Sequence, residues 1–369
     1  MKSLLLALAF LTLPAQVQAQ DLLIRIGHAA PLSGPLTEQG HASENGTRLA
    51  LEEYQARGLA LGGRRLIFEL VVEDDHASPI GAETAARRLI DSGVKGVVGH
   101  LNSSASMSAA RLYAQAGIPM ITPASTSPVL APQGFSLFFR AVASDARQAQ
   151  VLGKFLQTQA RRRIAIIDDR TAYAQGLANG IEQAFKAGSG KGLLHEITSS
   201  QTADFTALIA RLRHFGPDWV VYAGVERQGA LLLRQMRQAG LNASFLTGDG
   251  GCNEAFLHIA REAMSEKVFC ARPGRPLDRL ADMGFVERYR ERFGAEPRYP
   301  APQAYAAASA LIEAMRTANA VEPNRYLSAL RRLRLKSIEG TLSFDANGDL
   351  RSGPITLYRF QNGAWQALP

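Results

Sequence analysis

Gly96-Val97-Val98-Gly99-His100-Leu101-Asn102-Ser103-Ser104 holds one structural period of this chain. The glycine-bounded apolar pair reads as a short buried strand, and residues 106–116 read as a helix. Hydroxyls stand between them at a helix start, where unpaired backbone N–H groups and the helix dipole favour an anion. Outward from this stretch the period repeats. Upstream, residues 22–28 alternate as a strand, 38–57 read as a helix and 66–72 as a strand. Residues 80–91 follow as a helix with Ala85, Leu89 and Ile90 on one face. Downstream, Pro119-Met120-Ile121 is the next strand. Pro123, Pro128 and Pro132 interrupt the pattern, which then restarts. Helices 146–158, 173–186, 205–214 and 229–239 alternate with strands 163–168, 193–197, 219–222 and 244–247. Helices at 280–292, 303–317 and 324–333 follow. The tail is expected to pair strands 341–344 and 355–360 around the turn Asn347-Gly348-Asp349. The fold class expected is α/β, as two doubly wound parallel-sheet lobes whose strand-end loops share a crevice.

The N-terminus sets the expected compartment. Lys2, an apolar run over residues 4–13 and Val17-Gln18-Ala19 read as a secretory signal peptide, residues 1–19. The run is too short for a membrane-spanning helix, and no cysteine follows it to carry a lipid. The remaining ~350 residues exceed what one core organises, so two domains are expected. The formal charge of +8 comes from dispersed arginines such as Arg87, Arg88, Arg211, Arg234 and Arg332, without aromatic interleaving or a reading helix. A solvated basic surface is expected, and no nucleic-acid partner. Cys252 and Cys270, in an exported chain, are expected to form one disulfide closing a loop of about 18 residues. Two thiols without clustered histidines cannot complete a zinc shell, so no metal is expected.

Enzyme signatures fail on spacing. Gly188-Ser189-Gly190-Lys191-Gly192 lacks the residue count of a phosphate loop and precedes a strand, so it reads as a connection. Asp74-Asp75 and Asp168-Asp169 end strands, but adjacent side chains point to opposite sides, which favours turn and cap roles over paired acid–base chemistry. No nucleophile–base set is visible, so neither an enzyme nor a cofactor is expected.

Three loops place hydroxyls at strand ends: Pro31-Leu32-Ser33-Gly34-Pro35, residues 99–104, and Ile121-Thr122-Pro123-Ala124-Ser125-Thr126. With LSGP (32–35), GHLNSS (99–104), ITPAST (121–126), RIAIIDD (163–169), YAQGLA (173–178) and FDANGDL (344–350), the chain resembles the periplasmic leucine/isoleucine/valine-binding proteins of ABC transporters, from about Ile24 to Phe360. That resemblance implies the type I periplasmic binding-protein fold. Lobe I would comprise 20–142 plus 273–350 and lobe II 143–272 plus 351–369, with hinge crossings near Val142, Arg272 and Leu350. It implies a monomer that carries an amino acid, branched-chain aliphatic by family, to an inner-membrane permease from the periplasm. Other cargoes (a small polar or ω-amino acid, a short amide) and a sensor role remain as alternatives.

The resemblance also implies site roles. Ser103 would bind the ligand carboxylate through its hydroxyl and N–H. Thr126 would add a second N–H and offer its hydroxyl to the ammonium, which the Ala124 carbonyl also accepts. Asp249 would complete the ammonium site from lobe II, and Tyr173 would close over the ligand. Leu101, Asn102, Ser125 and Gly250 would line the pocket. Departures from the family pattern fall at Asp249, where a longer Glu is usual, and at Gln39 and Val225 (or Glu226), where aromatic walls are usual. Asn102 stands where the family has a cysteine, whose partner is also missing near Ala77. These changes imply a more polar pocket than leucine requires.

Overall fold

The computed structural model describes residues 21–131, 137–159, 163–188 and 192–369. The expected signal peptide, Pro132 and most of the Gly188–Gly192 run lie outside the described residues.

The first sheet is built from β1 (Leu22–Ala30), α1 (Thr37–Ala56), β2 (Ala60–Leu61), β3 (Arg64–Asp74), α2 (Pro79–Asp91), β4 (Val97–Gly99), α3 (Ser103–Gln115), β5 (Met120–Thr122) and β6 (Phe138–Arg140). The second is built from α4 (Asp145–Thr158), β7 (Ile164–Asp168), α5 (Ala172–Ala187), β8 (Leu193–Ile197), α6 (Thr206–Phe215), β9 (Trp219–Ala223), α7 (Glu226–Gln238), β10 (Ser244–Thr247), α8 (Glu254–Ala260) and β11 (Val268–Pro273). The chain then returns with α9 (Gly284–Phe293), α10 (Ala301–Ala318), α11 (Pro323–Arg331), β12 (Arg334–Ser337) and β13 (Gly340–Ser343), and ends with β14 (Ile355–Gln361) and β15 (Ala364–Ala367).

Strand order is β2-β3-β1-β4-β5-β6 in one sheet and β15-β14-β11-β10-β9-β7-β8 in the other. β1, β3, β4, β5 and β6 pair in parallel, as do β7 to β11. Both sheets are covered on both faces, and the sequence shows why. Along the strands, neighbours alternate between two cores: Val97, Met120 and Phe138 pack under α2 and α3, whereas Val98, Ile121 and Phe139 pack under α1 and α10. The second sheet repeats this, with Ile164 and Val221 on the α4–α5 side and Ala165 and Val220 on the α6–α7 side.

The α/β, doubly wound architecture is therefore as the sequence indicated, with corrections at the edges. The expected hairpin between 341–344 and 355–360 does not form. β13 pairs with β12, while β14 runs antiparallel to β11 and pairs with β15. Only the isolated bridge Phe344–Leu350 closes around the Asn347–Asp349 turn. The tight tail hairpin lies instead at Asn362-Gly363, where both residues have positive φ (53° and 82°), the geometry of a two-residue turn. β6 and β11 are absent from the strands the sequence indicated, and each carries an arginine beside its apolar residues, at Arg140 and Arg272.

The chain passes between the sheets after β6, after β11 and before β14. Val142 lies in the first crossing, and Leu350 lies just before the third. Arg272 sits inside β11. Strand order reverses between β3-β1-β4 and again between β8-β7-β9, and at such switch points the loops splay apart to leave a crevice. No helix among the described residues is long and apolar enough to cross a membrane.

Candidate ligand-binding site

A cavity of about 170 Å³ lies between the carboxyl ends of the two sheets. From the first sheet's side it is lined by Leu36, Gln39, Leu101, Asn102, Ser103, Ala124 and Thr126, and from the second by Thr171, Tyr173, Val225, Glu226, Asp249, Gly250 and Asn253. Ala77, Ser104 and Tyr299 complete it. Of the residues given a ligand-binding role in the sequence, Ser125 alone stands outside this lining. It is 1% exposed, and its hydroxyl donates to the Leu101 and His100 carbonyls at 2.9 and 3.1 Å. It braces the loop instead of facing the cavity.

The anion end follows from helix geometry. Asn102 caps α3 in an extended conformation but makes no side-chain cap hydrogen bond, so the first-turn N–H groups are not consumed by it. Ser103 Oγ accepts from Ser127 N at 3.2 Å, which fixes the hydroxyl beside that helix start while leaving its proton free to donate. The Asn102 Oδ1 and Gln39 Oε1 atoms are buried without a partner among the described residues.

The opposite wall is acidic. Asp249 Oδ1 accepts from Gln148 Nε2 at 2.7 Å and from the Tyr173 hydroxyl at 3.0 Å. Gln148 Oε1 of the same side chain in turn accepts from Asp249 N at 3.2 Å, and Gly250 N donates to the Tyr173 hydroxyl at 3.1 Å. The same Gln148 amide donates to Asp145 Oδ1 at 3.1 Å. Burial pushes both carboxyls above the usual carboxylate range, and the charge of Asp249 adds to the shift at Asp145. Glu226, 3% exposed, is likewise raised by burial. A ligand ammonium here would be matched by charge that the protein otherwise has difficulty holding. Gly250 has a steric reason to be glycine: a Cβ would stand 2.5 Å from the Gly224 carbonyl oxygen and 3.0 Å from the Tyr173 ring.

The paired aspartates have the turn roles expected of them. Asp74 accepts from Leu32 N and His76 N, and Asp168 and Asp169 accept from Arg170 N and Thr171 N. Asp75 additionally pairs with the buried His100 at 2.7 Å. Cys252 and Cys270 are disulfide-bonded. Among the described residues no group of three or more His, Cys, Asp or Glu could hold a metal ion.

Sequence reasoning missed Gln148, Tyr299 and Arg140. Arg140 is completely buried, pairs with Asp349 at 2.6 Å, and donates to the Ser125 and Ser127 carbonyls at 3.3 and 3.1 Å. It anchors the 121–127 loop against the chain's third crossing. An arginine inside the apolar run Phe138-Phe139-Arg140-Ala141-Val142 was the available signal.

The sequence pattern of the periplasmic binding proteins matches residues 23–364. The chain belongs to the periplasmic binding protein family. The resemblance carried by the ordered motifs is thereby borne out. A leucine-, isoleucine-, valine-, threonine- and alanine-binding protein of Pseudomonas aeruginosa is 30% identical over 342 residues, covering 92% of this chain and 91% of that one. A leucine-binding protein of Thermotoga maritima superposes with a TM-score of 0.86 at 25% identity, covering 94% and 98%. A substrate-binding protein of an ABC transporter from Desulfitobacterium hafniense, solved with leucine, gives 0.79 at 27%, covering 94% and 100%. These periplasmic binding protein relatives are named as binders, which fits the absence of enzyme signatures in the sequence.

Proposed function

We propose that this chain is a periplasmic solute-binding protein that captures one free α-amino acid in the cleft and presents it to an ABC transporter permease. Branched-chain aliphatic amino acids are the first cargo. The observation that carries this reading is the pairing of opposite chemistries across one cavity: a helix start with Ser103 on one side, and the carboxyl of Asp249 on the other. A zwitterion removed from water needs both of its charges matched at once, and this cavity offers both. Leu36, Leu101, Ala77 and Val225 supply apolar wall for an aliphatic side chain. The names of the relatives support the same cargo.

In this reading, residues 20–142 plus 273–350 move as one lobe and 143–272 plus 351–369 as the other. Ligand charges held from both lobes make the closed form the better binder, which is what allows ligand to shift the population. The protein acts as a monomer in the periplasm.

The test is calorimetric titration of refolded mature protein with leucine, isoleucine, valine, alanine, threonine, glutamine and γ-aminobutyrate. A dissociation constant at or below about 1 μM for the branched aliphatics is expected, equivalent to about −8 kcal/mol. 4-Methylpentanoate, which is leucine without its amino group, should bind far more weakly. Ser103→Ala and Asp249→Ala should each weaken leucine by about 1–3 kcal/mol. Equal binding of 4-methylpentanoate and leucine would overturn the ammonium assignment. Heat from glutamine or γ-aminobutyrate alone would move the cargo to the polar alternative that Gln39, Asn102 and Glu226 favour.

A further inference from the structure

The ligand cavity borders a second one at Tyr299. That second cavity, of about 240 Å³, shares Gln39, Asn253 and Tyr299 as a common wall and runs on between the sheets to Arg272, Tyr358 and Trp365. Arg272 lies near the end of β11, at the antiparallel junction with β14, where Arg272 pairs with Thr356. Its guanidinium carbon stands 5.1 Å from the centre of the Tyr358 ring and 5.7 Å from that of Tyr299. It donates to the Tyr358 hydroxyl at 3.2 Å and reaches the Cys252 carbonyl at 3.5 Å.

What the guanidinium lacks is an anion. Among the described residues no carboxylate lies within 4.0 Å of it, while Arg298 and Glu38 on the opposite wall are already paired at 2.9 Å. A guanidinium has five N–H donors in a fixed fork suited to a carboxylate, and most of these remain unused here. The shared wall adds one potential donor, the Tyr299 hydroxyl, buried without a partner among the described residues. A partly buried cation, two aromatic faces and the Tyr299 hydroxyl converge on a space that adjoins the amino-acid site.

We propose that this second compartment is a side-chain subsite for acidic α-amino acids. The α-ammonium and α-carboxylate stay in the first cavity, and the side-chain carboxylate passes Tyr299 to be gripped by Arg272. The subsite widens the cargo range beyond aliphatic side chains, which end in the first compartment. It rests on the amino-acid reading given above. Asp249 and Glu339 lie close enough to feel the charge of Arg272. A free inorganic anion therefore gains less here than a ligand whose ammonium satisfies Asp249 at the same time.

The experiment titrates the refolded protein with L-glutamate, L-2-aminoadipate (one methylene longer) and L-leucine, before and after Arg272→Met and Tyr358→Phe. Wild type is expected to bind at least one of the two acids. Arg272→Met should weaken that acid by about tenfold or more, because a site built for a charged partner strongly rejects its loss. Leucine should change by a clearly smaller factor than the acid, because it does not reach Arg272 and feels it only through Asp249. Tyr358→Phe removes only the hydroxyl that accepts from Arg272, outside the first cavity, and should weaken the acid more than leucine, so the subsite stays testable if Arg272→Met does not fold. Leucine binding without either acid would overturn the subsite and leave the amino-acid reading standing. Equal losses for acid and leucine in Arg272→Met would also overturn it. Silence from leucine and both acids would overturn the aliphatic cargo and the subsite with it.

Discussion

Gln148 and Asp249 hold each other at two points: the Gln148 amide donates to Asp249 Oδ1 at 2.7 Å, and Asp249 N donates back to Gln148 Oε1 at 3.2 Å. The two residues are 101 positions apart in the chain. Because the same amide also serves Asp145, one neutral side chain keeps two buried carboxyls apart and oriented. Gln148→Leu should therefore weaken amino-acid binding by about 1–2 kcal/mol and lower stability by a similar amount, through the loss of donors to buried acceptors. Calorimetry and urea unfolding on the same preparation read both effects. Unchanged affinity would mean that Tyr173 alone orients Asp249.

Arg140 is the second positioning residue. Arg140→Met removes the buried partner of Asp349 and the donor to two carbonyls of the 121–127 loop. Stability should fall by about 1–3 kcal/mol, since two buried carbonyls lose a donor while the Asp349 left alone is partly exposed. Arg140→Lys should recover only part of this, because an ammonium cannot reproduce the fork. Denaturant midpoints for the three proteins check the order.

The Cys252–Cys270 bond closes a loop of 18 residues that carries α8 and one wall of the second cavity. The paired substitution Cys252→Ala with Cys270→Ala should cost about 3 kcal/mol, chiefly by releasing chain entropy in the unfolded state. Guanidinium unfolding measures it. A change under about 0.5 kcal/mol would mean that packing of Phe256 and Trp365 holds the loop without the crosslink.

His28 gives a pH signature. Burial lowers its pKa from 6.5 to about 4, against the pull of Glu44 and Asp75 and with help from the charges of His100 and Arg48. The folded protein keeps this ring neutral while the unfolded chain protonates it near 6.5. Its contribution is therefore fully present above pH 6.5 and is lost as pH falls from 6.5 through about 4. Buried carboxyls with raised values act in the opposite direction, so the readout is a difference between proteins. The stability of wild type minus that of His28→Asn should shrink by up to about 3 kcal/mol across that window. A flat difference would show that the ring is not held neutral.

Much of this molecule was written in local sequence. The alternation of apolar neighbours in Val97-Val98 and Ile164-Ala165-Ile166-Ile167, with helices between strands, is a property of short windows, and burying both faces of a sheet leaves one architecture that satisfies it. The hydroxyl at Ser103 was legible for the same reason, since a helix start announces itself over a few residues, whereas Thr126 stands in a loop and was reached through the family resemblance. Edge pairing was not legible. β14 joins β11 and not the nearby β13, because partners in a sheet are chosen by the space the whole fold leaves open. The rest was decided by contacts across long separations. Ser125 turned inward to brace the loop, Gln148 reached Asp249, and Arg140 found Asp349 only once the chain had crossed back between the sheets. A hydroxyl, an amide or a guanidinium carries no address in its own window. Which partner it takes depends on the backbone groups that burial brings within 3 Å or so, and that is set by the tertiary structure.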